Sequence, residues 1–520
     1  MRVGRYSFLA IFALLLFTPF LVRAWVGAPT SDAPPADLEL RVITPHTLDI
    51  RRAFEAAFSD WHRRRFGRSV KIVYLIPQGT TDMVRYLRDA YGAEGVFSGA
   101  PAPDEQRVHV GIDVVWGGGD VTFEREIKAY LKPVNLPAGV LQAALPEPDL
   151  AGVALYDAKT PQAPRWVGVA LSSFGIAYNP DLFKRLNRPA PQTWSDLTDP
   201  SLSGLLALAD PMRSGSAAVA YMIVVQRAMA DAEAAYHARL EASGETSNPQ
   251  QLQSALAQGY HAGMSLLVRI AANARYFTES GSRPCDDVGQ GDAAAAMAID
   301  FYARVLAEEL GDERVRYIAP AGASALTPDP VAVLFGTLGE REVLANRFVE
   351  FLLSADGQRL WNLRADASPY LKRSLRRLPI RRDVYRDRSQ WADDTDPFAS
   401  ASGFNLRQEW MSSFRDSRDV WSAAWIENHD ALRDAYTTIL ELSDAGLREQ
   451  LIAKLSDLPI ELTEILSYKQ KRDELEKQGK EDSRLFQANQ RAAWARRFRE
   501  HFQEIGALAH SAMDTQGAVP

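Results

Sequence analysis

The sequence is poor in the residues that most often carry covalent or metal chemistry. Its 520 residues include one cysteine, Cys285, and eight histidines that are scattered along the chain. A single cysteine excludes an internal disulfide framework, so packing must stabilise the fold and Cys285 is expected to be a free, inert thiol. The sequence also lacks G-x-S-x-G, H-E-x-x-H, Walker A and paired C-x-x-C motifs. We therefore expect a protein that is not an enzyme, and we assign no catalytic residue, cofactor or metal ligand.

An excess of charge of one sign is also missing. Basic residues number 59 and acidic residues 66, which gives a formal net charge of −7. No large basic block occurs outside the first residues and the far C-terminal region, so we expect no nucleic-acid partner. The composition is 46% hydrophobic, which is typical of a globular chain long enough for two or three domains.

The only long apolar run stands near the N-terminus. Arg2 and Arg5 precede an apolar stretch over 8–22, and the small residues before position 25 are spaced as a signal peptidase requires. We expect cleavage after Ala24 and a periplasmic or extracellular location, with an uncleaved membrane anchor as the alternative.

Beyond residue 37 the sequence alternates short β-prone runs with apolar residues at helical spacing. Strands are predicted over 40–44, 70–76 and 112–116, and helices after them around 50–61, 80–91 and 123–131. This alternation favours an α/β fold with a parallel sheet covered by helices. A further strand is predicted at 204–209, with helices around 221–228, 252–274 and 293–307. Residues 92–106, rich in Gly, Ala and Pro, are predicted to be a surface insertion.

Two longer β-prone runs indicate a two-lobed architecture. The runs at 166–178 and 331–335 are predicted to cross between lobes whose chains interleave.

After about Trp391 the pattern is almost wholly helical, and we interpret this tail as a separate element. Its charged stretch 469–484 is interpreted as a solvated helix face, or alternatively as a partner-binding surface. The predicted domains are a signal peptide or membrane anchor at 1–24, a linker at 25–37, lobe 1 at 38–170 plus 325–390, lobe 2 at 171–324 and a helical extension at 391–520.

Three places share an arrangement in which a predicted strand ends in a small or polar turn and a helix starts at once. Helix starts present unpaired N–H groups and the positive end of the helix dipole, which attract anions. In open α/β sheets such ends line the ligand crevice. The candidate ligand-binding residues in these turns are Thr44, His46, Trp116, Gly117, Gly118, Ser214, Gly215 and Ser216.

Each turn also has a plainer interpretation. Asp120 and Ser214 are suitable helix caps, and for one turn alone capping is the more frequent role; three turns together favour a binding crevice. Trp116 either stacks on a ligand or packs in the core, and the core is favoured two to one. His46 either binds an anion or metal or is simply hydrogen-bonded, and Arg213 either clamps an anionic group or is solvated.

Several blocks of the sequence resemble a known family over roughly residues 38–370. The blocks are Pro191-Gln192-Thr193-Trp194-Ser195-Asp196-Leu197, Asp199-Pro200, Gly204, Ala209-Asp210-Pro211, Ser214-Gly215-Ser216, Gly291-Asp292-Ala293, Ala298-Ile299-Asp300-Phe301-Tyr302, and Phe351-Leu352-Leu353-Ser354 with Gly357-Gln358. In order and spacing they resemble the ferric-binding-protein-like family of ABC importer solute-binding proteins. The resemblance implies a type II periplasmic-binding-protein fold.

In that fold two lobes close on a ligand, and the resemblance implies hinge strands near 166–178 and 325–335. Ser172 and Ser173 in the first hinge strand are therefore further candidate ligand-binding residues. Asp300 is another candidate, which either meets an amino or hydroxyl group of the ligand or only orients its neighbours and caps a turn.

The resemblance also implies a test for iron. Iron-carrying members hold ferric ion with a histidine and a glutamate from one lobe and two adjacent tyrosines from the other. Here His46 lies near the histidine position and Tyr302 matches the second tyrosine, but Phe301 replaces the first and the block 113–118 has glycine in place of the glutamate. Ferric ion requires several anionic oxygens, so another cargo is expected. Other members carry phosphorylated sugars, phosphonates, organic acids or thiamine-like compounds.

The resemblance implies a monomeric transport receptor that captures a small polar, anionic solute and delivers it to an ABC permease in the inner membrane. One alternative is a ferric iron carrier with an altered ligand set. Another is a sensory or scaffolding module in which the helical tail contacts a membrane partner.

Overall fold

The computed structural model describes residues 17–18, 36–93, 109–150, 152–157, 159–160, 162–399, 403–407, 409–478 and 480–517. Nearly all of the predicted signal peptide and linker lie outside the described residues, as does most of the predicted insertion at 92–106. Within the described residues, no helix is both long enough and apolar enough to cross a bilayer.

The first part of lobe 1 alternates strands and helices. Its elements are β1 (Leu38–Ile43), α1 (Leu48–Phe66), β2 (Val70–Leu75), α2 (Thr80–Ala93), β3 (Val114–Trp116), α3 (Asp120–Arg125), β4 (Leu131–Lys132), α4 (Val140–Ala144), β5 (Asp149–Leu150) and β6 (Val153–Ala154). Strand β1 pairs in parallel with β2 and with β3, as the alternation predicted. The helix predicted at 123–131 is partly wrong, because α3 ends at Arg125, a 3-10 turn covers Lys128–Tyr130, and β4 begins at Leu131 and pairs with the second crossing strand.

Strand β7 (Val167–Tyr178) confirms the first predicted crossing. It leads into the elements of lobe 2, which are α5 (Pro180–Arg185), β8 (Leu206–Ala209), α6 (Gly215–Ser243), α7 (Pro249–Ala272), β9 (Ala274–Thr278), α8 (Arg283–Gln290), β10 (Ala295–Ile299), α9 (Asp300–Leu310) and β11 (Arg316–Ile318). The helix predicted at 293–307 is partly wrong, since residues 295–299 form a strand. This alanine-rich run pairs with β7 on one side and β8 on the other, so tertiary pairing overrides its helix propensity.

Strand β12 (Leu326–Leu334) is the second crossing, and it returns the chain to lobe 1 through α10 (Glu340–Leu353), α11 (Ala355–Leu360) and β13 (Leu378–Pro379). The N-terminal half of β7 pairs antiparallel with β12, and its C-terminal half pairs with β10. The strand order β2-β1-β3-β12-β7-β10-β8-β9 therefore runs through both lobes. The predicted two-lobed α/β fold is confirmed.

The C-terminal extension is helical from Trp410 onward. Its helices are α12 (Phe414–Trp421), a π-helical turn (Ser422–Ile426), α13 (His429–Leu440), α14 (Ala445–Leu455), α15 (Leu462–Gln478) and α16 (Lys480–Gly517). The described residues between 391 and 409 are not helical, contrary to prediction, and Trp391 packs in the core of lobe 1.

The extension is not a separate element as the sequence suggested. Trp421 and Trp425 pack against Tyr221 of α6, and one continuous core joins lobe 2 to the extension. Within the stretch predicted to be a solvated face, Arg472 is buried and pairs with Asp416 of α12. The extension is therefore built onto lobe 2.

Candidate functional site

A cavity of about 300 Å³ lies between the two lobes. Lobe 1 contributes residues after β1, β2 and β3, and lobe 2 contributes the residues before α6 and α8. Polar and charged residues that line it are His46, Thr47, Gln78, Thr80, Thr81, Asp120, Thr122, Glu126, Ser172, Arg213, Ser214, Ser216, Glu279, Ser280, Ser282, Tyr302, Thr327, Asp329, Arg377 and Arg418. The cavity is thus a polar cleft between lobes.

The lobe 1 wall contains the glycine turn after β3. Gly118 and Gly119 donate their backbone N–H groups to Asp329 Oδ1 over 2.8 and 3.3 Å. The φ of Gly118 is 113°, which favours glycine, and a Cβ there would lie 3.1 Å from Thr80 Cγ2. The turn therefore depends on glycine, and its amides bind a carboxylate of the protein itself.

A buried charged group forms the floor of the cleft. Arg377 donates from Nη1 to Asp329 Oδ2 over 2.7 Å and from Nη2 to Ser172 Oγ over 2.8 Å. Burial alone would raise the pKa of Asp329, but the neighbouring Arg377 guanidinium holds that pKa below its ordinary value. Asp329 lies on β12 and Ser172 on β7, so this group links the two crossing strands beneath the cavity.

His46 completes the floor as a neutral side chain. Its Nε2 lies 3.5 Å from Asp329 Oδ2, and its ring packs edge-on against Trp116. Burial, helped by the nearby Arg377 and opposed by Asp329, lowers the pKa of His46 to about 3. A neutral imidazole has one donor and one acceptor nitrogen, so His46 offers hydrogen bonding without charge at neutral pH.

The lobe 2 wall is built from two serine-rich turns. Ser214 Oγ accepts a hydrogen bond from the Ala217 amide and caps α6, and it lies 3.0 Å from Ser216 Oγ. A Cβ at Gly281 would lie 2.7 Å from Ser216 Oγ, so the backbone before α8 lies directly against these hydroxyls. Hydroxyl and amide groups are therefore concentrated on this wall.

Helices of both lobes begin at the cleft. Among them, α2, α3, α6 and α8 start at Thr80, Asp120, Gly215 and Arg283, at or beside lining residues of the cavity. The first N–H groups of a helix have no partner within the helix and carry the positive end of its dipole. Because helices of both lobes start here, the cleft has a positive potential from its backbone.

Acidic side chains also face the cleft. Burial, together with the nearby Asp329 and Glu124 carboxylates, raises the pKa of Asp120 to about 7. Glu279 is paired with Arg213 at the mouth of the cleft. Near neutral pH, part of the Asp120 population is therefore protonated and offers a donor.

The structure brings together part of the predicted set of site residues. Those that line the cavity are His46, Gly118, Ser172, Ser214, Gly215, Ser216 and Tyr302. Those that do not line it are Thr44, Trp116, Gly117, Ser173 and Asp300.

The residues outside the cavity support those that line it. Thr44 is buried, and its Oγ1 accepts a hydrogen bond from the His46 amide. Trp116 is fully buried in the lobe 1 core, which is the role the sequence favoured. A Cβ at Gly117 would lie 2.9 Å from the His46 ring, so this glycine makes room for that ring.

Ser173 and Asp300 form a buried pair behind the wall. Ser173 Oγ donates to Asp300 Oδ2 over 3.1 Å, and Asp300 Oδ1 accepts from the Phe301 amide over 2.8 Å. Burial raises the pKa of Asp300 despite the nearby arginines Arg304 and Arg377. Asp300 thus lies behind the cavity wall, bonded to Ser173 and to the Phe301 amide, and its predicted roles stay predictions.

Sequence reasoning missed several charged residues of the cleft, among them Asp329, Arg377 and Arg418. Asp329 had a usable signal, because it stands between Pro328 and Pro330 within an otherwise apolar crossing strand. Arg377 follows a run of basic residues and Arg418 lies in the extension, and neither has a local signal that points to the cleft.

Iron-type ligands are not assembled in the cleft. Tyr302 lines the cavity and burial raises its pKa to about 12, but Phe301 beside it offers no oxygen. Among the described residues, no three His, Cys, Asp or Glu side chains cluster in a way that would hold a metal ion. Arg377 lies over the Phe301 ring at 4.4 Å, which puts a cation beside the phenol of Tyr302.

Comparison with known proteins identifies relatives. Residues 131–383 match the family described as bacterial extracellular solute-binding protein. The phosphoglycerate transport regulatory protein PgtC of Salmonella typhimurium is 28% identical over 195 residues, which is 37% of this chain and 40% of that protein. The protein of the same name from Salmonella typhi matches to the same extent. The chain thus spans about two fifths of the length of these relatives.

Solved structures of binding proteins are also similar. The periplasmic binding protein AfuA from Actinobacillus pleuropneumoniae, with fructose-6-phosphate bound, is 16% identical with a TM-score of 0.47, covering 71% of this chain and 90% of AfuA. Iron-bound HitA from Pseudomonas aeruginosa is 20% identical with a TM-score of 0.45, covering 73% of this chain and 99% of HitA.

Proposed function

Residues 131–383 match the bacterial extracellular solute-binding proteins, and on that premise we propose that this chain captures a small anionic solute between its two lobes for import by an ABC-type permease. The observation that carries the proposal is the convergence of helix starts from both lobes on one polar cavity. Such starts bind anions through backbone amides.

The lobe 2 turn is the best candidate for the anion. The amides of Gly215 and Ser216 belong to the first turn of α6, and the hydroxyls of Ser214 and Ser216 stand beside them. A carboxylate or phosphate accepts several hydrogen bonds, and bonds to a charged acceptor are roughly twice as strong as neutral ones. The rest of the solute would face His46, Ser172 and Tyr302 across the cleft.

The lobes already touch at the cleft mouth. A Cβ at Gly79 would lie 3.1 Å from the Arg213 carbonyl oxygen, and one at Gly215 would lie 3.2 Å from Thr80 Cβ. These short distances join lobe 1 to lobe 2, as expected for a closed receptor. Solute exchange then requires opening, and a bound solute stabilises the closed form by its differential affinity.

A melting-temperature screen tests the proposal. The panel contains inorganic phosphate, sugar phosphates, phosphonates and organic acids, with 3-phosphoglycerate first because of the similarity to PgtC. A solute at a hundred times its dissociation constant adds roughly 2.7 kcal/mol to the free energy of unfolding. We expect at least one anion to raise the melting temperature, with neutral sugars as the matched control. A melting curve that no member moves would reject the proposal.

The ferric-carrier alternative is less well supported by the cleft. Arg377 lies beside both His46 and Tyr302, where a trivalent cation would be repelled. Ferric titration distinguishes the two, since a phenolate-bound ferric ion is coloured and the proposed receptor remains colourless.

Delivery of the solute is part of the same proposal. The family match supports a periplasmic location for the folded lobes, and we propose that a monomer docks on the permease in its closed form. The sensory alternative would instead require the extension to contact a membrane partner. Solute uptake by cells that carry or lack the protein separates these two roles.

A further inference from the structure

The C-terminal extension supplies one side chain to the cleft. Arg418 lies on α12, beyond the family match at 131–383, yet it lines the cavity between the lobes and is only 8% exposed. Helix α12 packs on lobe 2 within the core shared by lobe 2 and the extension. The extension therefore reaches the site from outside the two-lobed fold.

The Arg418 guanidinium contacts both lobes. Its Nε donates to the Pro211 carbonyl oxygen over 2.8 Å, and its Nη2 donates to the Met212 carbonyl oxygen over 2.9 Å. These two residues precede α6 in lobe 2. The same Nη2 donates over 3.0 Å to Thr81 Oγ1 in the first turn of α2, which belongs to lobe 1.

Three carboxylates, Glu126, Asp419 and Asp210, attract the charge of Arg418, but among the described residues none accepts a hydrogen bond from its guanidinium. Among the described residues, the one carboxylate within 4.0 Å of its guanidinium is Glu126, at 3.9 Å from Nη1, which is too long for a hydrogen bond. A buried cation without a hydrogen-bonded anion is costly. Arg213, on the same wall, differs because it is half exposed and paired with Glu279.

Neighbouring residues hold Arg418 in place. Asp416 pairs with Arg472 of α15, Ser417 Oγ lies 3.3 Å from Tyr260 Oη of α7, and Asp419 accepts a 2.8 Å hydrogen bond from Tyr468 Oη. All four residues from 416 to 419 are buried. The guanidinium is thus presented to the cleft by a rigid support, which is what a binding group requires.

We propose that Arg418 is a ligand-binding residue, with Nη1 as the cationic partner of the anionic group of the solute. This inference rests on the proposed function. If Arg418 has this role, the extension increases the affinity of the cleft for anions. The two lobes without Arg418 would bind the same anions more weakly.

Calorimetric titration with inorganic phosphate tests this inference on the full chain. Arg418→Gln should weaken phosphate binding about 10- to 100-fold, the effect of losing one charge-assisted hydrogen bond. Arg418→Lys keeps the charge and should stay within about fivefold of the original protein. Arg415→Gln is the matched control, because Arg415 lies on the same helix but is exposed and paired with Glu476. It should leave binding unchanged.

The outcomes separate the two proposals. If the unaltered protein binds neither phosphate nor any other anion of the panel, both proposals fail. If it binds phosphate and Arg418→Gln binds it equally well, the role of Arg418 is rejected and the proposed function stands. An equal loss of phosphate affinity in the Gln and Lys variants would also reject the role of Arg418 in binding. That result would indicate that the side chain only supports the backbone at 211–212 and that its charge does not contribute.

A crystallographic experiment tests the role of Arg418 without any substituted variant. In crystals of the unaltered protein grown with selenate, the anomalous signal of selenium should lie roughly 4 Å from Arg418 Nη1, as expected when a selenate oxygen accepts a hydrogen bond from that atom. An anion bound in the cleft away from Arg418 would overturn the assignment.

Discussion

Arg377 and Asp329 form a hydrogen-bonded ion pair beneath the cleft, with 2.7 Å between Nη1 and Oδ2 and both residues buried. Removing one member of a buried pair leaves the other charge unpaired in a low dielectric. We therefore expect Asp329→Asn to lower the free energy of unfolding by about 3–5 kcal/mol, measured by urea denaturation. Asp366→Asn is the control, because its pair with Arg364 is exposed and worth about 1 kcal/mol or less. Equal effects of the two substitutions would contradict the role of the buried pair.

The glycine turn after β3 offers a matched pair of substitutions. Gly118→Ala should weaken solute binding at least tenfold, because its Cβ would meet Thr80 and Met83, at 2.9 Å from Met83 Cε, and so push on the cleft wall. Gly119→Ala introduces comparable backbone strain at a φ of 81° but meets no atom within 4 Å. Both variants should lose stability, and only Gly118→Ala should lose affinity in calorimetric titration. Parallel losses of affinity would mean that strain alone is responsible.

The two serines of the lobe 2 turn should behave differently. Ser216→Ala is expected to weaken anion binding roughly tenfold, the loss of one hydrogen bond to a charged group, with little change in stability. Ser214→Ala also removes the cap of α6, so it should lower the free energy of unfolding by about 0.5–2 kcal/mol as well. Thermal melting and titration of both variants check this. Unchanged affinity in both would place the anion elsewhere.

Asp120 should make stability depend on pH near neutrality. Its folded-state pKa of about 7 lies above the ordinary value of 3.8, so folding favours the protonated form, and that contribution is lost as the pH rises through about 7. We expect the free energy of unfolding of Asp120→Asn, relative to that of the original protein, to be higher at pH 8 than at pH 5, measured by urea denaturation at both pH values. His46 acts in the opposite direction, because its pKa is about 3 in the folded protein against an ordinary value of 6.5, but it contributes equally to both proteins and cancels in this comparison. A variant with the original pH dependence would exclude Asp120 as the cause.

Cys285 should be unreactive toward thiol reagents in the folded protein. Its side chain is fully buried, and burial raises the pKa of the thiol well above its ordinary value. Because the thiolate is the reactive form, a thiol reagent should label Cys285 only at the rate of unfolding, and labelling should become rapid in denaturant. Fast labelling under native conditions would show that this part of lobe 2 opens locally.

Much of the fold was predictable because the local spacing of apolar residues indicates its strands and helices. The β1–α1–β2–α2 series and the long crossing strand β7 have strong β or helical patterns, and they appear where predicted. The alanine-rich strand β10 was not predictable, since alanine favours helix and only pairing with β7 and β8 makes the run extended.

The candidate site was predictable only where it follows strand ends. Ser214, Gly215 and Ser216 stand at a strand-to-helix junction, a local signal that the sequence displays. Arg377 and Arg418 enter the cleft from positions remote along the chain, and their role depends on tertiary placement. Trp116 was also a candidate for the site, but its side chain packs in the core, which is the role that the sequence favoured.

The unbroken run of β7 has a consequence for how the protein loses its structure. Strand β7 pairs with β12 in lobe 1 and with β10 in lobe 2. Loss of the sheet in one lobe would therefore expose backbone hydrogen-bonding groups of the sheet in the other. We therefore expect the two lobes, which open and close around a solute, to unfold together in one cooperative transition.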